Sequence, residues 1–260
     1  MSKVTSKDGT SIAFDKAGQG PALLLVDGAM CYRAFGPMGP LSALLAKQFT
    51  VYTYDRRGRG ESGDTPPYAV EREIEDIDAL IKQAGGSAYV YGISSGAVLS
   101  VAAAARLPSI KKLALYEPPL MLDEAGRRMS ANYTVQLNDA LAAGRRGDAV
   151  AAFMTRVGMP ADALAGMRQA PVWPMFEAIA PTLAYDNAVM GDSGVPTARA
   201  ASVKVPTLVM GGGASPDFMQ NAAQALQKAI PGSQYRTLAG QTHEVAAEAI
   251  APELEKFFAS

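Results

Sequence analysis

Ala88-Tyr89-Val90-Tyr91-Gly92-Ile93-Ser94-Ser95-Gly96-Ala97-Val98-Leu99 is the stretch on which the fold turns. Its first four residues form a short apolar run, as a strand buried on both faces of a parallel sheet requires. From Ser95 to Leu107 the residues are almost all small and apolar, the pattern of a helix inside a core, and Pro108 follows its end. Between strand and helix stands Gly92-Ile93-Ser94-Ser95-Gly96, a match to G-x-S-x-G. A serine hydroxyl is a poor nucleophile unless it is exposed, oriented and set beside a base. A sharp strand-to-helix turn supplies the exposure, and the flanking glycines remove side chains that would block it. The plainer alternative is a serine that caps a helix. The strand before it and the helix after it make Ser94 the candidate nucleophile. Ser95 is the competing hydroxyl, and its expected part is to offer its backbone N–H to a developing oxyanion.

Outward from this stretch the apolar run recurs in Ala22–Val26, Phe49–Tyr54, Leu113–Tyr116 and Val205–Met210. At the start, Val4-Thr5-Ser6 and Ser11–Phe14 flank Asp8-Gly9, a pair suited to a type I′ hairpin turn. Helical patterns separate the strands. Val70, Ile74, Ile77 and Ile81 fall on one face of Val70–Ala84, with Glu71, Arg72, Glu75 and Asp76 outside. Ser215-Pro216-Asp217 predicts a second helix opening with a capping serine, and Glu244–Phe258 a last one. Strands alternating with helices predict an α/β architecture, a mostly parallel sheet with helices on both faces.

Residues 118–201 break this rhythm. They carry helical fragments punctuated by prolines and hold seven of the 12 methionines, with no convincing strand. The expectation is a helical cap insertion over one end of a core built from residues 1–117 and 202–260. Clefts between a scaffold and its cap are common ligand sites, so Met30, Met121, Tyr133, Trp173 and Met175 are candidate substrate contacts. The plainer account has the same side chains packing the insertion to the core.

Composition limits the chemistry. Hydrophobic residues make up 48% and charged residues 19%, ordinary for a globular chain. A net charge of −1 gives no electrostatic reason to expect nucleic acid or an anionic membrane, which leaves a small-molecule substrate as the expected partner. The clusters Arg56-Arg57-Gly58-Arg59, Arg127-Arg128 and Arg145-Arg146 read as solvated loop and helix faces. Cys31 is the single cysteine and His243 the single histidine, which excludes an internal disulfide and any metal site needing two imidazoles. No P-loop or dinucleotide motif occurs, and Gly211-Gly212-Gly213 is too generic to count, so neither cofactor nor metal is expected. Met1 to Asp8 has no apolar stretch suited to a signal peptide, and the most apolar segment, Ala97–Leu107, is interrupted by Ser100 and Arg106. A cytoplasmic protein is expected.

His243 follows the strand candidate Gln234–Leu238 and precedes the last helix. A lone histidine in a loop is more often structural, but downstream of such an elbow it becomes the candidate general base. At this point the chain resembles the α/β-hydrolase family over nearly its whole length. Leu23-Leu24-Leu25-Val26-Asp27-Gly28 resembles the strand ending at that family's oxyanion loop, and Tyr54–Ser62 its D-x-R-G-x-G-x-S loop. Gly92–Gly96 is similar to its nucleophile elbow, and Gly240-Gln241-Thr242-His243 to its final histidine loop. The resemblance implies an oxyanion hole from the amides of Ala29 and Ser95, and a structural part for Asp55. Two departures stand out. Asp27-Gly28 replaces the His-Gly of many members, so the Asp27 carboxylate should point away or be held by hydrogen bonds; an adjacent role for Asp27 or Cys31 stays open. In the loop where members often carry the triad acid, Ser215 occupies its place and Asp217 lies two residues on. Some branches, haloalkane dehalogenases among them, place the acid after the strand that follows the elbow helix. Glu117 stands there and is preferred, with Asp217 the alternative. The implied activity is hydrolysis of an ester, thioester or lactone of a small to medium hydrophobic substrate through an acyl-enzyme. The same framework serves C–C hydrolases, lyases and small-molecule receptors.

Overall fold

The computed structural model describes residues 2–260; Met1 lies outside them. Strands β1 (Ser2–Thr5) and β2 (Ser11–Ala17) form an antiparallel hairpin. Its turn is not type I′. Gly9 N–H donates to Ser6 O at 3.0 Å, and Gly9 alone in the turn has a positive φ, 87°. That is a type I turn closed by a glycine bulge, with Asp8 one position later in the turn than a type I′ pair would place it. Asp8 Oδ1 instead accepts the N–H of Thr10 at 3.0 Å.

The chain continues through β3 (Ala22–Val26), α1 (Met38–Leu45), β4 (Thr50–Tyr54), α2 (Val70–Gln83), β5 (Ala88–Ile93), α3 (Ser95–Ala104) and β6 (Ile110–Tyr116). A run of helices comes next: α4 (Glu124–Ala142), α5 (Arg146–Arg156), α6 (Ala161–Met167), α7 (Trp173–Ile179), α8 (Leu183–Met190) and α9 (Thr197–Ser202), with a 3₁₀ turn at Ala180–Thr182. Then come β7 (Thr207–Gly212), α10 (Asp217–Ala229), β8 (Gln234–Leu238) and α11 (Ala247–Ala259). Ser215 does not cap α10; Pro216 stands at the cap position, and the first turn is left without a side-chain cap.

The strands β1 to β8 form one sheet in the order β1-β2-β4-β3-β5-β6-β7-β8, parallel from β4 to β8. Alternation along each strand feeds two cores. Leu23 and Leu25 pack with Met38, Leu41 and Phe258 on the α1–α11 face. Leu24 and Val26 pack with Ile77, Leu99 and Leu226 on the opposite face. Every residue of α3 is buried, which is why its sequence has no polar face. A third apolar cluster joins Met30 to Tyr133, Leu137, Val150, Met154, Trp173, Phe176 and Leu183 of the helical segment. No helix among the described residues is long and apolar enough to cross a membrane.

Strand order opens a crevice at one end of this sheet. From β3 the chain first adds β4 on one side and then crosses to β5 on the other. Connections diverge there and leave a gap beyond the carboxyl ends of β3 and β5, where open parallel sheets bind their ligands.

Candidate active site

Ser94 stands in that crevice. Its backbone takes φ 58° and ψ −129°, a strained conformation costing roughly 1–3 kcal/mol for a residue with a side chain. Neighbouring glycines make the bend possible. A Cβ on Gly92 would lie 2.4 Å from Ser100 Oγ, and one on Gly96 would lie 2.4 Å from Val26 O. Ser94 N–H donates to Tyr116 O at 3.0 Å, which fixes the bend to β6, while the residue itself stays half-buried beneath solvent. Its Oγ makes no hydrogen bond to another described protein group.

Glu117 follows β6 directly, and Ile93 and Tyr116 are register partners, so Ser94 and Glu117 leave adjacent strand ends side by side. Glu117 is fully buried, with φ 41°. Its Oε1 accepts Gly212 N–H at 2.7 Å and its Oε2 meets His243 Nδ1 at 2.9 Å. Burial works against its charge. The His243 contact and the Gly212 amide outweigh that penalty and hold the carboxyl below its ordinary range. Ser215 Oγ is buried and has no hydrogen-bond partner among the described residues. The histidine loop is tied down independently: Tyr116 Oη donates to Thr242 O at 2.6 Å, and Ala214 N–H to Gln241 O at 2.9 Å. The His243 side chain keeps 40% of its surface exposed, so the imidazole is anchored on its Nδ1 side and open elsewhere. Asp217 lies exposed on the first turn of α10 and makes no contact with His243. Of the two candidate acids, the structure brings Glu117 to the imidazole and leaves Asp217 outside.

The loop after β3 faces Ser94. A Cβ on Gly28 would lie 3.0 Å from Ser94 Cβ and 3.5 Å from its Oγ, so any larger residue here would press on the nucleophile. Met30 takes φ 61°, the third strained non-glycine residue at these strand ends. The amides of Ala29 and Ser95 donate to no described protein group. Asp27 is buried and its Oδ1 has no hydrogen-bond partner. Burial, eased only in part by Arg59 and Arg56, raises its pKa to about 7. It lies beneath Gly36 alongside Cys31. The Cys31 thiol is pushed up to about 12 by burial and the neighbouring Asp27, which removes it as a thiolate nucleophile near neutral pH.

The arginine-rich loop corrects the sequence reading. Arg127, Arg128, Arg145 and Arg146 are exposed, but Arg56, Arg57 and Arg59 are each 1% exposed. Arg57 makes a bidentate pair with Asp76 at 2.7 and 2.8 Å and reaches Asp8 at 2.9 Å. Arg56 makes one with Glu73 at 2.6 and 2.7 Å and meets Asp186 Oδ1 at 2.6 Å. Arg59 pairs with Asp186 Oδ2 and donates to Gly28 O at 2.6 Å and Cys31 O at 3.2 Å. Burial opposes the Asp186 charge, yet the two guanidiniums keep its carboxyl below the ordinary range. Asp55 organises the rest of the loop, accepting Glu61 N–H and Arg33 N–H at 2.8 Å each.

Among the substrate candidates, Met30, Tyr133 and Trp173 lie together in the third apolar cluster, with Met175 half-buried against it. Met121 is outside that cluster, its sulfur packed where α4 begins, beside Gly126. Two surface depressions, one lined by Arg145, Arg168 and Glu177 and one by Val4, Glu75 and Lys82, do not include Ser94. Sequence reasoning missed Asp186, which reaches Arg56, Arg59 and the Ser95 hydroxyl, the last at 2.8 Å. Its only signal was one carboxylate in the apolar run of α8.

Sheet order, elbow and histidine loop together define a hydrolase framework. Residues 23–253 match the alpha/beta hydrolase family, and the chain belongs to it. An alpha/beta hydrolase from Sphaerobacter thermophilus DSM 20745 is 55% identical, with a TM-score of 0.88 over 99% of this chain and 100% of that one. The enol-lactonase from Burkholderia xenovorans LB400 has the same fold at 24% identity and TM-score 0.70, over the whole of both chains. An uncharacterized hydrolase, YraK, of Bacillus subtilis strain 168 is 33% identical over 118 residues; the match spans 44% of this chain and 43% of that protein.

Proposed function

We propose that the chain is a serine hydrolase that cleaves an ester, thioester or lactone of a small to medium hydrophobic substrate through an acyl-enzyme. One observation carries this reading: the fully buried Glu117 carboxylate meets Nδ1 of the protein's single imidazole at 2.9 Å, at the sheet end where Ser94 is bent outward. Glu117 fixes the tautomer with the proton on Nδ1, leaving Nε2 as the base. Ser94 Oγ attacks the carbonyl carbon and its proton passes to Nε2. The amides of Ala29 and Ser95 receive the oxyanion, and the alcohol, thiol or ring oxygen leaves with the proton from Nε2. Water, deprotonated by the same imidazole, then releases the acid and frees Ser94. The unengaged Ser94 hydroxyl fits a resting site, since such contacts often tighten only when substrate is bound.

Residues 118–201 act as a cap on a core of residues 1–117 and 202–260, and Met30, Tyr133, Trp173 and Met175 contribute an apolar acyl or alkyl site, with Met121 at its edge. Esterase and enol-lactonase names among the fold relatives accord with this chemistry. The partner is a small molecule and the setting the cytoplasm. The test is incubation with a fluorophosphonate and location of the adduct by mass spectrometry, with turnover of p-nitrophenyl esters and lactones. An adduct on Ser94 with turnover is expected. A protein that leaves Ser94 unlabelled, or that binds these compounds without turnover, is not this enzyme.

A further inference from the structure

Arg59 is buried, and all of its bonding is directed inward. Its Nε donates to Thr182 Oγ1 at 3.1 Å, its Nη2 pairs with Asp186, and its Nη1 donates to the carbonyls of Gly28 and Cys31. The Gly28 carbonyl belongs to the same peptide unit as the Ala29 N–H. That peptide is trans, since the single cis bond among the described residues is Pro66-Pro67. In a trans peptide the C=O and N–H point in opposite directions. A guanidinium clamped to Gly28 O at 2.6 Å therefore turns the Ala29 N–H away from Arg59 and keeps it there. It also draws electron density toward that oxygen, which strengthens the N–H as a donor.

Asp186 completes the arrangement from a different part of the chain. Its Oδ2 holds Arg59, and its Oδ1 accepts the hydroxyl of Ser95, whose own amide is the other expected oxyanion donor. One carboxylate on α8 thus touches both halves of the hole, one directly and one through a guanidinium. The second Arg59 contact, to Cys31 O, brackets Met30 at φ 61°, so the strained part of the oxyanion loop is held at both ends by a single side chain.

We propose that Arg59, held by Asp186, is a positioning residue for the oxyanion hole: it fixes and polarises the Gly28–Ala29 peptide so that its N–H faces the reacting carbonyl oxygen. This role rests on the acyl-enzyme reading. Loss of a residue acting this way leaves ground-state binding alone and weakens only the binding of what resembles the tetrahedral intermediate. Arg59→Gln should lower kcat about 10- to 100-fold with KM within about twofold, less than the 100- to 1,000-fold lost when an oxyanion donor itself is removed.

The experiment measures kcat, KM and the affinity of an aryl trifluoromethyl ketone, whose adduct with serine places an oxyanion in the hole, for wild type and for Arg59→Gln. Asp186→Asn is measured beside them. The ketone affinity of Arg59→Gln is expected to fall in step with kcat, while the pH profile of kcat/KM keeps its midpoint. Should Arg59→Gln fail to fold, Arg59→Lys carries the comparison. It keeps the charge beside Asp186, but its single ammonium cannot serve that carboxylate and both carbonyls. A folded variant with unchanged kcat and ketone affinity overturns the proposal. So does one whose kcat falls while ketone affinity stays, or whose KM alone changes. Wild type is assayed first. A wild-type protein neither labelled at Ser94 nor turning over esters removes the hydrolase reading and this inference with it. An active, labelled wild type confines any failure to Arg59.

Discussion

Replacing Glu117 with glutamine is the sharpest test of the acid assignment, because the local geometry dictates what an amide would do there. Glu117 Oε1 receives a donor from the Gly212 amide and Oε2 faces His243 Nδ1. Glutamine offers one oxygen and one NH₂. If the oxygen takes the Gly212 amide, the NH₂ faces Nδ1 and forces that nitrogen to accept, which moves the imidazole proton to Nε2 and removes the base. If the amide flips, two donors oppose each other at Gly212 in a site with no water-facing surface. The first arrangement is the cheaper one, since an unsatisfied buried donor costs on the order of 1–3 kcal/mol. A wrong tautomer in a triad of this geometry costs about 10⁴ in kcat. With part of the neutral imidazole still reaching the productive form, Glu117→Gln should lose about 10³- to 10⁴-fold in kcat, or roughly 4–5.5 kcal/mol at 1.36 kcal/mol per decade. KM should change little, as the carboxylate is buried behind His243. Asp217→Asn, at an exposed position without contact to the imidazole, should stay within about twofold. Stopped assays with a p-nitrophenyl ester, paired with the rate of fluorophosphonate labelling, measure both. Equal losses in the two variants, or a larger one at Asp217, refute the assignment.

Ser94→Ala should reduce ester turnover to background and abolish the phosphonate adduct, as judged by intact-mass measurement; an adduct persisting on Ser95 would redirect the mechanism. Gly60 has φ 51°, and a Cβ there would fall 2.4 Å from Asp55 Oδ2, so Gly60→Ala should lower stability by about 2–4 kcal/mol in urea unfolding. A loss under about 0.5 kcal/mol would show the loop to be pliable. Asp27 supplies a pH test. Its folded pKa is raised from 3.8 to about 7, so the folded state holds a proton that the unfolded chain releases, and stability falls as pH climbs between those values. The full shift is worth on the order of 4 kcal/mol, and Asp27→Asn escapes it. Unfolding curves of the two proteins should converge near pH 4 and separate by pH 8, with the variant more stable; parallel curves would count against a buried, protonated Asp27.

What the sequence disclosed and what it concealed divide along a physical line. Elbow and histidine loop were legible because each is a local demand: glycines where a Cβ would strike Ser100 or Val26, and a short strand before the bend. Glu117 was legible as a position, since it leaves β6 beside Ser94. Burial of Arg56, Arg57 and Arg59 was not legible. An arginine is driven indoors by its partners, and Glu73, Asp76, Asp8 and Asp186 are spread over the chain with no periodic relation to it. Ser215 misled for a related reason. Ser-Pro-Asp has the composition of a helix start, yet Pro216 takes the cap position and the serine hydroxyl is buried without a hydrogen-bond partner. At the first hairpin, Asp8-Gly9 indicated a turn correctly, but only the hydrogen bond from Gly9 to Ser6 reveals which residues occupy its centre.

The span of the bridge from the arginine loop to α8 carries a consequence for how the protein is made. Arg56 and Arg59 meet Asp186 across 130 and 127 positions of chain. Arg56 can meet Glu73 only 17 positions on, but a growing polypeptide displays Arg59 long before its carboxylate partner is synthesised, and until then water is its better host. The charge knot therefore cannot close before α8 is made, and nascent chains stopped short of α8 should keep this loop wet. Amide exchange around Arg56–Gly60, fast in a chain ending at residue 180 and slow in the finished protein, would register that order; equal protection in both would deny it.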